Sequence, residues 1–311
     1  MIIAAGQQFA EKIHQKAKAI CPDLDWIPFS PDKPWHPGDC EAAVLIGDAY
    51  TPEFKTSLPA MQSLRWVHTE NSGIDSPFYH ELINRGITRT RSPGANAPET
   101  AEFVFALMLN KIKRIDMLAE QQRKCRWERL PLGALNGQTL LIVGLGEIGS
   151  RVARIAKAFG MHVLGIRCSA ELLAGVAEQG TGCDLQSFIP RADIIVLATP
   201  LTSETQHLLG EKELAAIKDG SLLINVSRGD VIDTAALRRC LSERPSITAC
   251  LDVMPEEPWP SVDELWHYKN VFLTPHIAWS SPNYRVRAGE MWLENLRRFV
   301  KGQPLLHVVN Q

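Results

Sequence analysis

The sequence has no surplus of charge of either sign: 33 Lys and Arg stand against 35 Asp and Glu, a formal net charge of -2. So balanced a chain has no general attraction for nucleic acid or an anionic membrane surface, and any anion it binds must be held at a local site. Long apolar runs are absent too. Nowhere do 18 apolar residues follow one another, and the opening MIIAAGQQFAEK lacks both a basic region and an apolar stretch of leader length. This argues against a membrane-spanning helix and a secretory leader. The chain is expected in the cytoplasm, with neither nucleic acid nor membrane as a partner. None of its seven cysteines falls in a CxxC pair, so neither a disulfide framework nor a zinc site is signalled, and no metal is expected.

What is present is a chain of 311 residues, 45% of them apolar, enough for two domains each with its own core. Apolar runs of strand length recur through its middle: LLIVGLG, HVLGI, DIIVLATP, SLLINVS, ITACLDV and VFLTPHI. Each reads as followed by a helical pattern, and such alternation predicts a parallel sheet buried on both faces. The first third repeats the pattern more weakly in AAVLIGD, LRWVHTE and GITRTRS, which predicts a second, smaller α/β domain. PETAEFVFALMLN, from Pro98 to Asn110, reads as a long helix linking the two, and residues 281–301 read as an amphipathic helix carrying Trp292, Leu296, Phe299 and Val300 on one face.

Gly144, Gly146 and Gly149 form GxGxxG between the apolar run LLIV and the helical pattern SRVARIAKAFG. In that setting the three glycines have distinct tasks: a tight turn, close backbone approach to a pyrophosphate, and close packing of helix on strand. The helix N-terminus then offers unpaired N–H groups and a positive dipole end. A glycine turn that binds nothing is the plainer alternative. About 20 residues further on, a site for NAD carries an acid that accepts from the adenosine 2'-hydroxyl. This chain has Arg167, Cys168 and Ser169 there. A guanidinium and a hydroxyl suit a 2'-phosphate, so NADP(H) is expected to be favoured over NAD(H).

Three polar motifs stand at the C-terminal ends of predicted strands, where ligands bind in open α/β sheets: Arg228 in NVSRGD, Asp252 and Glu257 in LDVMPEEP, and His276 in TPHIAWS. With GLGEIG and ATPLTSETQHLL they occur in an order and spacing that resembles the D-isomer-specific 2-hydroxyacid dehydrogenase family over residues 60–300. The resemblance implies a Rossmann-type doubly wound domain, 98–276, inserted into a smaller flavodoxin-like α/β substrate domain made of 1–97 and 277–311, with the active site in the cleft between the domains. It implies hydride transfer between a nicotinamide and a small 2-keto or 2-hydroxy acid. Dimers formed through the cofactor domain are common in the family, and residues 100–131 are the expected contact of a homodimer.

The roles that the resemblance implies agree with what carbonyl reduction demands. His276 donates a proton to the oxygen on which negative charge grows. Glu257 orients the ring. Arg228 binds the substrate carboxylate and polarises the carbonyl with a fork that lysine lacks. Asp252 is either a contact to the nicotinamide carboxamide or a loop cap. Ser72, Gly73 and Ile74 in ENSGID would present backbone N–H groups to the carboxylate, and Trp279 would limit substrate size unless it serves only packing. Further cofactor contacts fall on Glu147, Ile148, Thr199, Pro200, Thr205, Val226 and Ser227. Asn96, Glu102 and His68 are read as caps, hinge contacts or core groups and receive no role.

Formate dehydrogenases of this fold pair their histidine with glutamine, so Glu257 points to a keto acid. Glyoxylate and hydroxypyruvate lead among substrates, and longer acids of the D-lactate type follow. A nicotinamide-sensing binding protein without catalysis is the alternative from another class.

Overall fold

The computed structural model describes residues 1–29, 40–45, 58–70, 73, 77–168 and 172–309. The chain divides into two compact units, Met1–Ala95 with Ser281–Gln311, and Asn96–Ser280.

The first unit is built on a six-stranded sheet. Strands β1 (Ile2–Gly6), β2 (Asp25–Phe29), β3 (Ala42–Leu45), β4 (Trp66–Thr69) and β5 (Thr88–Arg91) run parallel in the order β5-β4-β3-β1-β2, and a short antiparallel β13 (Val308–Val309) pairs with β5. The sequence reading found β3, β4 and β5. It missed β1, β2 and β13. IIAAG is small and uniform, DWIPF contains a proline that suits only an edge strand, which is where β2 lies, and two residues carry no periodicity. The helix Pro282–Val300 buries Ala288, Trp292, Leu293 and Leu296, so its apolar stripe has a packing role; Val300 is outside that stripe and exposed. Trp292 stacks on Trp66 at 6.4 Å and meets Phe9 edge-on at 5.7 Å, the offset and T-shaped arrangements that ring quadrupoles prefer.

His68 lies in this unit with no exposure, its Nδ1 and Nε2 bonded to the Thr90 and Ser92 hydroxyls at 2.7 and 2.9 Å. Burial above all, then the nearby charges of His307 and Arg89, push its pKa down to about 3. In the unfolded chain the ring takes up its proton near pH 6.5, whereas the folded ring resists protonation until about 3. The stability held by the neutral ring is complete above pH 6.5 and declines as pH falls towards 3. At about 1.4 kcal/mol per pH unit, going from pH 7 to pH 5 should cost about 2 kcal/mol. Urea titrations at both pH values check this. His68→Gln, which cannot be protonated, should lose that much less on acidification, and equal losses in the two proteins would clear His68 of the effect.

The second unit carries a seven-stranded, wholly parallel sheet: β6 (Thr139–Val143), β7 (His162–Ile166), β8 (Glu178–Gly180), β9 (Ile194–Leu197), β10 (Leu222–Asn225), β11 (Thr248–Leu251) and β12 (Val271–Leu273), in the order β12-β11-β10-β9-β6-β7-β8. Successive residues of β6 go to opposite faces. Leu141 and Val143 join one core with Ile195, Leu197 and Leu223, while Leu140 and Ile142 join the other with Ile194, Val196 and Ile224. Both faces are covered, which is why these strands read as unbroken apolar runs instead of alternating ones. The strand order reverses between β6 and β9, and a crevice for a ligand opens at such a switch point, at the carboxyl ends of the strands. The expected helix after Pro98 spans Ala97–Lys113, three residues longer at its end than the sequence reading set it. Among the described residues no helix is long and apolar enough to cross a membrane, and no three His, Cys, Asp or Glu side chains gather as a metal set.

Candidate active site

The glycine turn leaves β6 at the switch point. Gly144 has φ of +101°, and a Cβ there would stand 2.7 Å from the backbone of Ala198 and Thr199, so only glycine lets the turn pass so close to the chain leaving β9. A Cβ at Gly149 would overlap the Gly144 carbonyl oxygen, which is the helix-on-strand contact the motif demands. Gly146 differs, for nothing lies within 4 Å of where its Cβ would be. It is also the N-cap of the helix Glu147–Ala158 and supplies no side-chain cap. The leading N–H groups of that helix, those of Glu147 and Ile148 among them, therefore face an open approach.

β7 delivers Arg167 to the neighbouring position. Its backbone N–H donates to Gly180 O at 3.0 Å, and its Nη1 is shut from solvent with no hydrogen-bond partner among the described residues. A buried donor without an acceptor needs an explanation, and an anionic oxygen at the adenosine end of a dinucleotide supplies one. With the open glycine cradle and the uncapped helix, this orphaned donor fits a nicotinamide dinucleotide. Cys168 is exposed, and Ser169 is outside the described residues.

Other expected contacts serve their own loops first. Thr199 and Pro200 follow β9 beside the glycine turn, but the Thr205 hydroxyl accepts from Thr202 N at 2.8 Å and donates to Pro200 O at 2.6 Å, which makes Thr205 a loop brace. After β10, Val226 and Ser227 are buried, and the Ser227 hydroxyl donates to Asn225 Oδ1 at 2.7 Å.

The residues expected to be catalytic come from three loops at the ends of β10, β11 and β12. His276 Nδ1 is 2.7 Å from Glu257 Oε2, and Glu257 Oε1 accepts from Met254 N at 3.1 Å. The acid is thus held to its own loop by one oxygen and orients the ring with the other, which leaves Nε2 as the ring nitrogen that Glu257 does not engage. His276 has φ of +51°, a left-handed conformation that costs a non-glycine residue energy and persists only when its surroundings impose it.

Asp252 does the imposing. Its backbone oxygen accepts from His276 N at 2.8 Å, its Oδ1 from Thr274 Oγ1 at 2.6 Å and Ile277 N at 2.9 Å, and its Oδ2 from Ala278 N at 3.0 Å. Only 2% exposed, the carboxylate is offset by these three donors. Both oxygens of Asp252 brace the loop that carries His276, and Oδ2, which takes a single donor there, keeps a lone pair with which it can accept from a carboxamide.

Arg228 is half-buried, and its Nη1 donates to Ser227 O at 2.7 Å. Two residues that the sequence reading passed over hold it in place. Asn225 Nδ2 donates to Arg228 O at 2.9 Å. Gly229 lies so close to the 254–255 backbone that any Cβ would overlap it, so the loop bearing Arg228 can approach the loop bearing Glu257 only with glycine there. NVSRGD carries both residues, but their role depends on a neighbouring loop that only the fold supplies.

Trp279 is half-buried next to the buried Ala278. Gly73, in the first unit, accepts from Arg89, whereas Ser72 and Ile74 are outside the described residues.

Residues 105–278 match the model of the D-isomer specific 2-hydroxyacid dehydrogenase, NAD binding domain. The chain is 37% identical over 283 residues to a glyoxylate reductase of Korarchaeum cryptofilum, covering 88% of this chain and 83% of that one. A D-isomer specific 2-hydroxyacid dehydrogenase family protein from Aeromonas salmonicida superposes with a TM-score of 0.87 at 28% identity, covering 99% of this chain and 98% of the other. A D-isomer specific 2-hydroxyacid dehydrogenase from Xanthobacter autotrophicus, solved with NADPH and MES, gives 0.80 at 28% identity, covering 99% and 97%.

Proposed function

The chain belongs to the D-isomer specific 2-hydroxyacid dehydrogenase family, and on that premise we propose that it reduces a small 2-keto acid, glyoxylate or hydroxypyruvate, to the 2-hydroxy acid with NADPH in preference to NADH. The observation that carries this reading is the 2.7 Å pair of His276 Nδ1 and Glu257 Oε2 in the same unit as an open glycine cradle. When bound, the reduced nicotinamide supplies the hydride. His276 donates its proton at Nε2 to the carbonyl oxygen, Arg228 holds the carboxylate and polarises the carbonyl, Glu257 orients the imidazole, and Asp252 holds the backbone turn that carries it. Ser72, Gly73 and Ile74 would receive the carboxylate, and Trp279 would set the size limit.

For the cofactor, the orphaned Arg167 Nη1 and the NADPH bound by the Xanthobacter relative support the phosphorylated form. Mixing the protein with NADPH and glyoxylate or hydroxypyruvate and following the absorbance of the reduced nicotinamide tests the proposal. No consumption with either acid, using NADPH or NADH, would remove it.

A homodimer belongs to the same proposal. The helix Ile115–Arg123 buries none of its residues, Trp127 is 99% exposed, and Ile115, Met117 and Leu132 are about half exposed, an apolar surface of the kind that partners cover. A mass in solution equal to the single chain's 34.6 kDa would count against it.

A further inference from the structure

A brace needs an anchor outside the part it holds. Asp252 holds the turn that carries His276, and its carboxylate has three donors among the described residues: the Thr274 hydroxyl at 2.6 Å and the Ile277 N–H at 2.9 Å on Oδ1, and the Ala278 N–H at 3.0 Å on Oδ2. Two of them, Ile277 and Ala278, ride on the turn itself. If the turn shifts, those donors shift with it, and the carboxylate can follow by rotating. Thr274 is placed differently. Its backbone N–H donates to Leu251 O at 3.0 Å, which continues the pairing of β12 with β11 one residue past the strand. The proline that follows it disfavours any but an extended backbone there. The Thr274 hydroxyl is therefore tied to the sheet, ahead of the turn.

The main chain of Asp252 is tied down as well. Its N–H donates to Asn225 O at 3.0 Å at the end of β10, and its own carbonyl oxygen accepts from His276 N at 2.8 Å. What remains to be set is the rotation of the carboxylate, and Thr274 sets it from a fixed position. With the residue only 2% exposed, water does not replace a lost donor. His276 keeps its φ of +51° only because its surroundings impose it. A carboxylate free to rotate lets that turn relax, and the imidazole then leaves its place 2.7 Å from Glu257 Oε2.

We propose that Thr274 is a positioning residue for the proton donor: its hydroxyl locks the Asp252 carboxylate, and through it the turn that aims His276. The inference rests on the proposed role of His276 in reduction. Thr274 need not touch the substrate, since the single proton of its hydroxyl is spent on Oδ1. Serine can make the same bond. Valine, of nearly the same shape, cannot.

The experiment uses the full chain and follows single turnovers of glyoxylate at saturating NADPH, where the amplitude reports the competent fraction of the protein and the rate constant reports the chemical step. Thr274→Val should lower the rate constant by roughly ten- to a hundredfold, the worth of one charge-assisted hydrogen bond, at an amplitude close to the wild type's. Thr274→Ser should bring it back to within about threefold of the wild type, because the donor is restored. The third arm is a double-mutant cycle. If Thr274 acts through His276, adding Thr274→Val to His276→Ala should lower the residual rate by less than about twofold, since the group it aims is already gone.

A fall in amplitude at an unchanged rate constant would show a purely structural role and overturn the inference. So would a serine variant no faster than the valine one, or a valine substitution as costly beside His276→Ala as it is alone. If Thr274→Val does not fold, Thr274→Ala, which also lacks the hydroxyl and adds no bulk, decides between the same outcomes. An active wild type with Thr274→Val indistinguishable from it removes this inference alone, whereas a wild type inactive on every 2-keto acid removes the proposed function on which it rests.

Discussion

Replacing His276 with alanine is expected to lower the rate of keto-acid reduction by roughly 10²- to 10⁴-fold, the usual contribution of general acid catalysis, with little change in NADPH affinity. Hydride arriving at the carbonyl carbon leaves negative charge on oxygen, and that charge must meet a proton. His276 is equipped for this because Glu257 occupies Nδ1 at 2.7 Å and the Asp252 bonds hold the backbone around it in its left-handed turn. Alanine removes the donor and preserves the loop, since Asp252 bonds to backbone atoms of residues 276, 277 and 278 and to the Thr274 hydroxyl, never to the imidazole. The variant should fold and bind cofactor. Single-turnover rates at neutral pH with pre-bound NADPH measure the chemical step directly, and turnover close to wild type would take His276 out of the mechanism.

Arg167→Asp is expected to reverse the choice of cofactor. The wild type should favour NADPH over NADH by roughly ten- to a hundredfold in kcat/KM. A charge-assisted contact to the 2'-phosphate contributes about 1.5 to 3 kcal/mol, and each 1.4 kcal/mol is about tenfold in affinity. The buried Nη1, without a hydrogen-bond partner among the described residues, is the donor that such a phosphate would satisfy. An aspartate there repels the phosphate and can accept from a 2'-hydroxyl, so NADPH should bind far more weakly and NADH as well or better. Because Arg167 is only half-buried, the wild-type preference should also shrink as salt rises. Steady-state rates with both cofactors at fixed glyoxylate give the answer. A wild type preferring NADH would show that the guanidinium does not serve the ribose.

The sequence by itself determined the cofactor-binding sheet and the kinds of residue at its rim. Apolar runs such as LLIV and SLLIN can only be strands covered on both faces. GxGxxG after such a run dictates its own turn, and Arg228, Glu257 and His276 lie in the loops that follow β10, β11 and β12, where a polar residue after a buried strand can reach a crevice. These are local properties, carried by neighbours in the chain. Strands β1, β2, β8 and β13 were not legible, being short, rich in small residues or polar, or marked by proline, and pairing with neighbouring strands is what makes them strands.

The tertiary structure decided everything that depends on which loops meet. It engaged Asp252 with the His276 turn 22 to 26 residues away, gave Gly229 its reason by pressing one loop on another, and left Arg167 a buried donor with nothing to bond among the described residues. It also turned Arg89, one arginine of TRTRS in sequence, into a buried grip on Gly73. The physical reason is the same in each case: parallel strands bring their carboxyl ends side by side whatever their separation along the chain, so partners across those ends are set by sheet order, which no single stretch of sequence contains.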